Sequence, residues 1–571
     1  MMRTLSAGAK QMGKNDLWKY SMAAVASVGE MLKTSLGPLG AYKVLVDYLE
    51  DIKVTSRGVK ILEYLLEDYS PKYDKNYKPV RANPILKILV EGGLSIHKNL
   101  KDGVISYAVL SGALMEKAAK LINEKIHVNT IVKGYKMALN WALEELADIA
   151  VKITPSDRET LTGIARTTLA KSYLGPSSAQ TLAECIVDAY TTVVENTSTG
   201  FRGFEPEKAI QIVVKAGGYT LDSRFIKGLV LENRLKHSLL PKKIVDAKIA
   251  LIDDHMDVKR TKWWHEIKIS NAADIGVFKK EEEMILERMF ENVRNKGANV
   301  VFCKKGINDK LLYLFGRAGI MAVRDINAAD FEMLAAATSS KIAPTPDELQ
   351  ESDLGYAEVV EERIIGAENW VFVEGCRKPK AVSIMIRGGA YMFADELKHV
   401  VKSAITALHQ ALIEERVVPG AGAVELEISK RLRKRALSIG GKLQLAIQAY
   451  AESLEAIPKA LLESAGVDVL EKLATLNALH KNGELGACFD VLSRKLTDAY
   501  REKLLEPYSR HVIILKSSTE LVTQLMRIDN AFLAGRRSWG ELPKVSEQST
   551  EYSRHAIIGE PGSYPTYGEP Y

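Results

Sequence analysis

Helical periodicity at both ends of this 571-residue chain, with a different pattern between them, is the feature that most restricts its fold. Apolar residues recur three and four positions apart in residues 16–34 and 130–150, and again in long stretches from about 395 to 530. Between about 218 and 368, short apolar runs such as KIALIDD and ANVVFCKK alternate with helical stretches such as EEEMILERMFENVRNKG. The order predicts a multi-domain α and α/β protein, in which an α/β domain is inserted into a helical one.

Length and composition exclude several classes of protein. A chain of 571 residues predicts two to four domains, and 46% hydrophobic with 26% charged residues is typical of a globular protein. No run approaches the roughly 18 apolar residues that a spanning helix needs. The first residues, MMRTLSAGAKQMGKND, lack the apolar core of a signal peptide. We therefore predict a cytoplasmic protein without a membrane partner.

The cysteines and the charge balance argue against two further kinds of site. Cys185, Cys303, Cys376 and Cys488 lie far apart and show no CxxC spacing, so we expect reduced thiols, no disulfides and no zinc. The 78 Lys and Arg residues are interleaved with 72 Asp and Glu residues, and the net charge is only +6. This distribution predicts no nucleic-acid partner.

Three loops contain residues suited to holding phosphate groups. SLGPLG (35–40) follows a long helix, Asp102-Gly103 opens another helix, and PGAGA (419–423) precedes a third. Glycine lets backbone amides approach a phosphate closely, helix N-termini favour anions, and an acid there can hold a bridging metal ion. Taken singly, SLGPLG is also explained as an ordinary helix stop, Asp102-Gly103 as an ordinary N-cap, and PGAGA as a tight connection.

These loops also occur in order with other segments, and together they resemble a known family. The segments are SLGPLGAYKVLVD, VTSRGVKIL, KDGVISYAVLSGAL, ANVVFCKKGINDKLLYLFGRAGIMAVRD, IMIRGG, RVVPGAGAVELE, ESAGVDVLEKL and LEPYSRHVIILKSSTELVTQLMRIDN. In this order they resemble a group II chaperonin subunit, of the archaeal thermosome and eukaryotic cytosolic type. The resemblance covers nearly all of residues 15–535.

The resemblance implies a domain plan. It assigns residues 1–150 and 403–538 to a mostly helical equatorial domain, residues 151–217 and 369–402 to a small intermediate hinge domain, and residues 218–368 to an apical α/β domain with a helical lid protrusion. Residues 539–571 are rich in Gly, Pro, Ser and Tyr and are predicted to be a flexible tail. Trp263 and Trp264 fall in the lid-like stretch DVKRTKWWHEIKIS and are candidate client contacts, although ordinary packing or a ring contact would explain them equally well.

The resemblance also implies a nucleotide site and an assembly. Such subunits form double rings, bind ATP and Mg²⁺, and enclose unfolded client proteins. The matching nucleotide-binding positions here are Ser35, Leu36, Gly37, Pro38, Asp102, Gly103, Val104, Ile105, Gly420, Ala421, Gly422 and Glu506. Where the family has a third glycine this chain has Ala421, which adds a methyl group at a close approach. The lysine of the nucleotide-sensing segment, Lys171, is displaced by one position and is given no role.

Catalysis is the part of the family pattern from which this chain departs. The family uses three aspartates, of which only Asp102, a predicted metal ligand, remains. The second position is Arg57, and the third is Ser403. Losing a general base typically costs 10² to 10⁴ in rate. Arg57 would either repel the metal or pair with a phosphate in its place.

Three functions follow as hypotheses. The first is a chaperonin subunit whose ATP hydrolysis is lost or strongly weakened. Its double ring would be either homo-oligomeric or hetero-oligomeric with active paralogues. The second is a fully active ATP-dependent chaperonin in which another acid, such as Asp51 or Asp395, replaces the missing ones. The third is a structural ring or assembly protein whose contacts include the tail tyrosines, Tyr552, Tyr564, Tyr567 and Tyr571.

Overall fold

The computed structural model describes residues 10–12, 14–46, 50, 52–68, 84–172, 174–197, 200–233, 235–258, 272–388 and 391–533. The predicted lid residues Trp263 and Trp264, the candidate acid Asp51 and the whole tail with its four tyrosines lie outside the described residues. Asp395 is described only as part of a helix backbone. Two compact units divide the chain, residues 1–19 with 528–571, and residues 20–527. None of the described helices is long and apolar enough to cross a membrane.

The first part of the chain is helical, as its periodicity predicts. It contains β1 (Lys10–Met12), α1 (Lys14–Lys33), β2 (Lys43–Val46), β3 (Ile52–Thr55), α2 (Gly58–Asp68), α3 (Pro84–Leu100), α4 (Val104–Asn123) and α5 (Val128–Ile149). Ile131, Tyr135 and Leu146 of α5 are fully buried, as expected for residues four and eleven positions apart on one helix face. Strands β2 and β3 form an antiparallel hairpin.

The next segment changes from helix to strand. It contains β4 (Val151–Lys152), α6 (Arg158–Leu169), α7 (Pro176–Asn196), α8 (Pro206–Ala209), β5 (Ile210–Ala216) and β6 (Arg224–Ile226). Asp157 caps α6 by accepting a hydrogen bond from the backbone N–H of Thr160 at 3.1 Å, which satisfies one of the N–H groups that the first turn leaves open.

The central region is an α/β layer built on a seven-stranded sheet. Its elements are β7 (Gly228–Leu231), β8 (Lys243–Ile252), α9 (Ala272–Asn295), β9 (Val300–Cys303), α10 (Asp309–Arg317), β10 (Met321–Val323), α11 (Ala328–Thr338), β11 (Ile342–Ala343), β12 (Gly355–Ile365) and β13 (Glu368–Glu374). The strand order is β10-β9-β8-β12-β13-β7, with β11 beside β8. Both faces are buried, because Ile249 and Leu251 of β8 lie in one apolar cluster and Ala250 and Ile252 in another. The α/β prediction for this region is confirmed.

The chain then returns to helices. The elements are β14 (Val382–Gly388), α12 (Tyr391–Glu414), β15 (Arg416–Pro419), α13 (Ala423–Ala436), α14 (Gly441–Leu454), α15 (Ala456–Ser464), α16 (Val469–Lys481), β16 (Ala487–Asp490), β17 (Lys495–Asp498), β18 (Leu505–Pro507), α17 (Tyr508–Leu525) and β19 (Ala531–Leu533). Strand β14 lies between β5, to which it is parallel, and β6, to which it is antiparallel. This small sheet shares a buried cluster with α6, α7 and α12.

Helices from the two ends of the sequence pack on one another. Helix α17 contacts α3, α4 and α5, and α14 contacts α4 and α5. Strand β15 pairs with both β4 and β18. The loops that precede α2, α4 and α13 are thereby brought to one region of the larger unit. The predicted multi-domain α and α/β fold class is confirmed, whereas the domain boundaries stay a prediction.

The smaller unit joins residues near the two ends of the described chain. Strands β1 and β19 are antiparallel, with Gln11 opposite Phe532. The indole Nε1 of Trp18 donates a hydrogen bond to the carbonyl of Ile528 at 3.0 Å.

Candidate functional site

One cavity contains all three positions at which the family pattern places aspartates. Arg57, Asp102 and Ser403 line a cavity of about 270 Å³. They come from the loop before α2, the loop before α4 and the middle of α12. Other predicted nucleotide-binding residues line the same cavity, namely Ser35, Leu36, Gly37, Gly103, Val104 and Ile105.

A second, smaller cavity shares part of this lining. It measures about 100 Å³ and is lined by the remaining predicted residues Pro38, Ala421, Gly422 and Glu506, together with Leu36 and Gly37. Lys171 and Arg510 line both cavities. Gly420 lines neither cavity, but its N–H donates to the carbonyl of Leu504 at 2.8 Å, which holds it close to the strand that carries Glu506.

Two helices begin at these cavities without a side-chain cap. Gly103 and Gly422 are the N-caps of α4 and α13, both at φ +82°, and neither has a side chain that could accept from the first N–H groups. The left-handed conformation is readily available to glycine. Ala421 also has a positive φ, of +52°, although it carries a methyl group. The open N–H groups favour an anion at both helix starts.

Asp102 is already paired with two cations. Its Oδ2 lies 2.5 Å from Lys171 Nζ and 3.1 Å from Arg510 Nε. Burial alone would raise the pKa of Asp102, but the charges of Lys171 and Arg510 outweigh it and hold the pKa well below its usual range. Asp102 is therefore ionised, and its charge is compensated within the protein.

Arg510 continues into a buried chain of charges. It is 9% exposed and also bonds Glu506, one turn earlier on the chain. Glu506 accepts from His511 Nε2 at 2.9 Å, and His511 Nδ1 lies 3.3 Å from Glu425. Burial would raise the pKa of Glu506, yet the Arg510 charge and the His511 hydrogen bond lower it to about 2. Glu506 is thus an ionised carboxylate linked to Asp102 through one arginine.

Neither replacement residue can take up a proton from water in this arrangement. Arg57 Nε lies 2.8 Å from Glu396 Oε2, at the side of the cavity formed by α12. Ser403 Oγ donates to the carbonyl of Lys101 at 2.9 Å and lies 3.0 Å from the carbonyl of His399. A guanidinium stays protonated, and a hydroxyl between two carbonyl oxygens acts as a donor.

Basic side chains outnumber acids in the lining of the larger cavity. Three acids, Asp102, Glu207 and Glu396, face five basic side chains, Arg57, Lys101, Lys171, Lys402 and Arg510. Each acid has a basic partner. Asp102 is paired with Lys171 and Glu396 with Arg57, and Lys101 Nζ lies 3.0 Å from Glu207. In the part of the chain that the structure describes, no three His, Cys, Asp or Glu residues converge on one point, so a Mg²⁺ ion here would depend on one or two carboxylates and on the phosphates themselves.

Two of these cations were not assigned from the sequence. Lys171 was given no role because of its shifted position, yet its amino group lies directly on Asp102. Arg510 was not considered at all. One signal was available, since Glu506 and Arg510 are four residues apart on either side of the start of α17, close enough in sequence to form an ion pair.

Known proteins of one family resemble this chain over nearly its whole length. The family model described as the TCP-1/cpn60 chaperonin family matches residues 28–536. A thermosome subunit of Methanopyrus kandleri is 36% identical over 531 residues, covering 93% of this chain and 94% of that protein. The thermosome subunit alpha of Saccharolobus solfataricus is 35% identical over 573 residues and 99% of each chain, and the thermosome subunit beta of Sulfolobus acidocaldarius is 36% identical over 550 residues and 96% of each.

Fold, cavity and relatives together define a chaperonin subunit of the group II, or thermosome, type. The chain belongs to the TCP-1/cpn60 chaperonin family.

Proposed function

We propose that this chaperonin subunit binds nucleotide in the two adjoining cavities and has lost most or all ATP hydrolysis. The observation that carries the proposal is that Arg57 and Ser403 share a cavity with Asp102 at the positions where acids are expected. Hydrolysis needs a carboxylate to orient and deprotonate water. Of the three family aspartates only Asp102 remains, and Lys171 and Arg510 both contact its Oδ2.

We further propose that the subunit works in a double ring that binds unfolded protein, either with copies of itself or with active paralogues. The thermosome-subunit relatives support this assembly. The β2–β3 hairpin supports a contact with another subunit, because Val44, Val46, Ile52 and Val54 are all more than 40% exposed on it. The equatorial, intermediate and apical boundaries and the client role of Trp263 and Trp264 are part of the same proposal.

ATP turnover by the purified full-length protein tests the loss of hydrolysis. The variant is Asp102→Asn, and the matched control is Asp325→Asn, because Asp325 is likewise flanked by a lysine and an arginine, Lys236 and Arg324. We expect no turnover above the blank for any of the three proteins, with nucleotide binding by the parent protein in calorimetry. Turnover that Asp102→Asn removes and Asp325→Asn leaves intact would show a live, rewired site.

Suppression of the aggregation of a chemically denatured protein tests the client role in parallel. We expect suppression without added ATP. A protein that neither binds nucleotide nor suppresses aggregation would favour the purely structural function.

A further inference from the structure

We propose that this site holds the phosphate chain of a nucleoside di- or triphosphate without a divalent cation, the positive charge being supplied by Arg57, Lys171 and Arg510. The inference rests on the proposed nucleotide binding and goes one step further, to the chemistry of recognition. It follows from the mismatch between the lining and a Mg²⁺ site.

The first argument concerns the carboxylate that would hold the metal. Both Lys171 and Arg510 contact the same oxygen of Asp102, at 2.5 and 3.1 Å. A divalent cation on that oxygen would have to displace one of them or lie beside two like charges. Arg510 cannot easily move away, because it is buried and also bonds Glu506 and Ser106. The two cations therefore already take up one of the two Asp102 oxygens that could hold a metal.

The second argument concerns Arg57. Its side chain is 22% exposed and lines the cavity, whereas Glu396, its partner at 2.8 Å, is nearly buried. The flat guanidinium offers paired N–H donors that match phosphate oxygens, and it keeps its charge at every accessible pH. A phosphate that enters the cavity can therefore bond Arg57 from the open side. An aspartate at this position, as in the family pattern, would need a metal ion between its carboxylate and the phosphate.

The third argument concerns the way in which the two cavities are connected. Arg510 contacts Asp102 in the larger cavity and Glu506 in the smaller one. Arg510 is a positioning residue, since it fixes both acids. It also adds a positive charge where the two cavities share their lining. The uncapped starts of α4 and α13 add N–H donors on either side of that boundary. The surplus of basic side chains lies in the larger cavity, where five of them face three acids before any ion is added.

Calorimetric titration of the full-length protein with ADP and with ATP tests this, in excess EDTA and again in excess Mg²⁺. We expect the dissociation constants in the two buffers to agree within about threefold. Arg57→Gln should weaken binding in EDTA at least about tenfold, whereas Arg57→Lys should weaken it less, because it keeps the charge and loses only the paired donors. Lys60→Gln is the matched control, because Lys60 lies one turn away on α2, outside the cavity, and its loss changes the net charge equally.

Each alternative result has a distinct meaning. Binding by the parent protein that weakens tenfold or more in EDTA would overturn metal-free recognition and leave the proposed nucleotide site intact. No binding in either buffer would overturn both. Unchanged binding by a folded Arg57→Gln protein, checked by its circular dichroism, would overturn the role of Arg57. If that variant does not fold, the comparison of buffers for the parent protein still decides the inference.

Discussion

His511 predicts a loss of stability at mildly alkaline pH. Its ring is 6% exposed and bridges two carboxylates, with Nδ1 3.3 Å from Glu425 and Nε2 2.9 Å from Glu506. Burial by itself would lower the pKa of His511, but the Glu425 charge and the hydrogen bonds to both acids raise it to about 9. The native structure is therefore built around an imidazolium cation, and a neutral ring would leave two buried carboxylates short of one partner.

The size of the effect follows from the pKa difference. An unfolded histidine titrates near pH 6.5. The rise to about 9 corresponds to about 3 kcal/mol of folding free energy at roughly 1.36 kcal/mol per unit. Because the folded pKa is the higher one, this stabilisation is complete below about pH 6.5 and is lost progressively as the pH rises through about 9.

Denaturant unfolding at pH 6.5, 7.5, 8.5 and 9.5, followed by circular dichroism, measures this loss. The comparison is His511→Gln, with the exposed His255→Gln as the control. Burial raises the pKa of the thiols of Cys303 and Cys376, which lowers stability above about pH 8.5 in every variant. The measure is therefore the difference in slope. Equal losses between pH 6.5 and 9.5 for the parent protein and His511→Gln would refute the reasoning.

Two further predictions concern the lining of the cavities. Gly422→Ala should lower the free energy of unfolding by about 3 kcal/mol, because it combines a left-handed alanine with a Cβ placed 2.8 Å from Pro458 Cβ. The control Gly441→Ala, at φ +65° in open space, should lower it by only about 1 kcal/mol. Equal losses for the two variants would contradict this. Glu396→Gln should tighten ADP binding about tenfold in calorimetry, because it removes a negative charge beside Arg57, and unchanged or weaker binding would argue against Arg57 as the phosphate ligand.

The sequence was most informative where local pattern determines local structure. The helix opened at Asp102-Gly103 follows from turn residues and apolar spacing, and the structure contains it. The family pattern also located Arg57 and Ser403, which are 346 positions apart and line one cavity. Ordered motifs can do this because they identify positions through a shared fold, independently of distance along the chain.

The pairing of charges could not be predicted in the same way. Lys171 and Asp102 are 69 residues apart, and Arg510 and Asp102 are 408 apart. Their contact depends on the rotation of α17 against α4 and on where the end of α6 lies, and neither follows from periodicity. A pattern marks a residue as helical or loop, but the identity of its partner is set by packing.

The charge pairing changes what the lost aspartates mean. Removing two acids from a phosphate site without other changes would leave a surplus of positive charge and an unpaired polar position. Here Arg57 is paired with Glu396, and the Ser403 hydroxyl bonds the Lys101 carbonyl. Both contacts connect α12 to loops that line the same cavity. The charges of the substituted residues are therefore balanced within the protein. A bound phosphate would compete with Glu396 for Arg57, and its binding would act directly on the contact between α12 and the loop before α2.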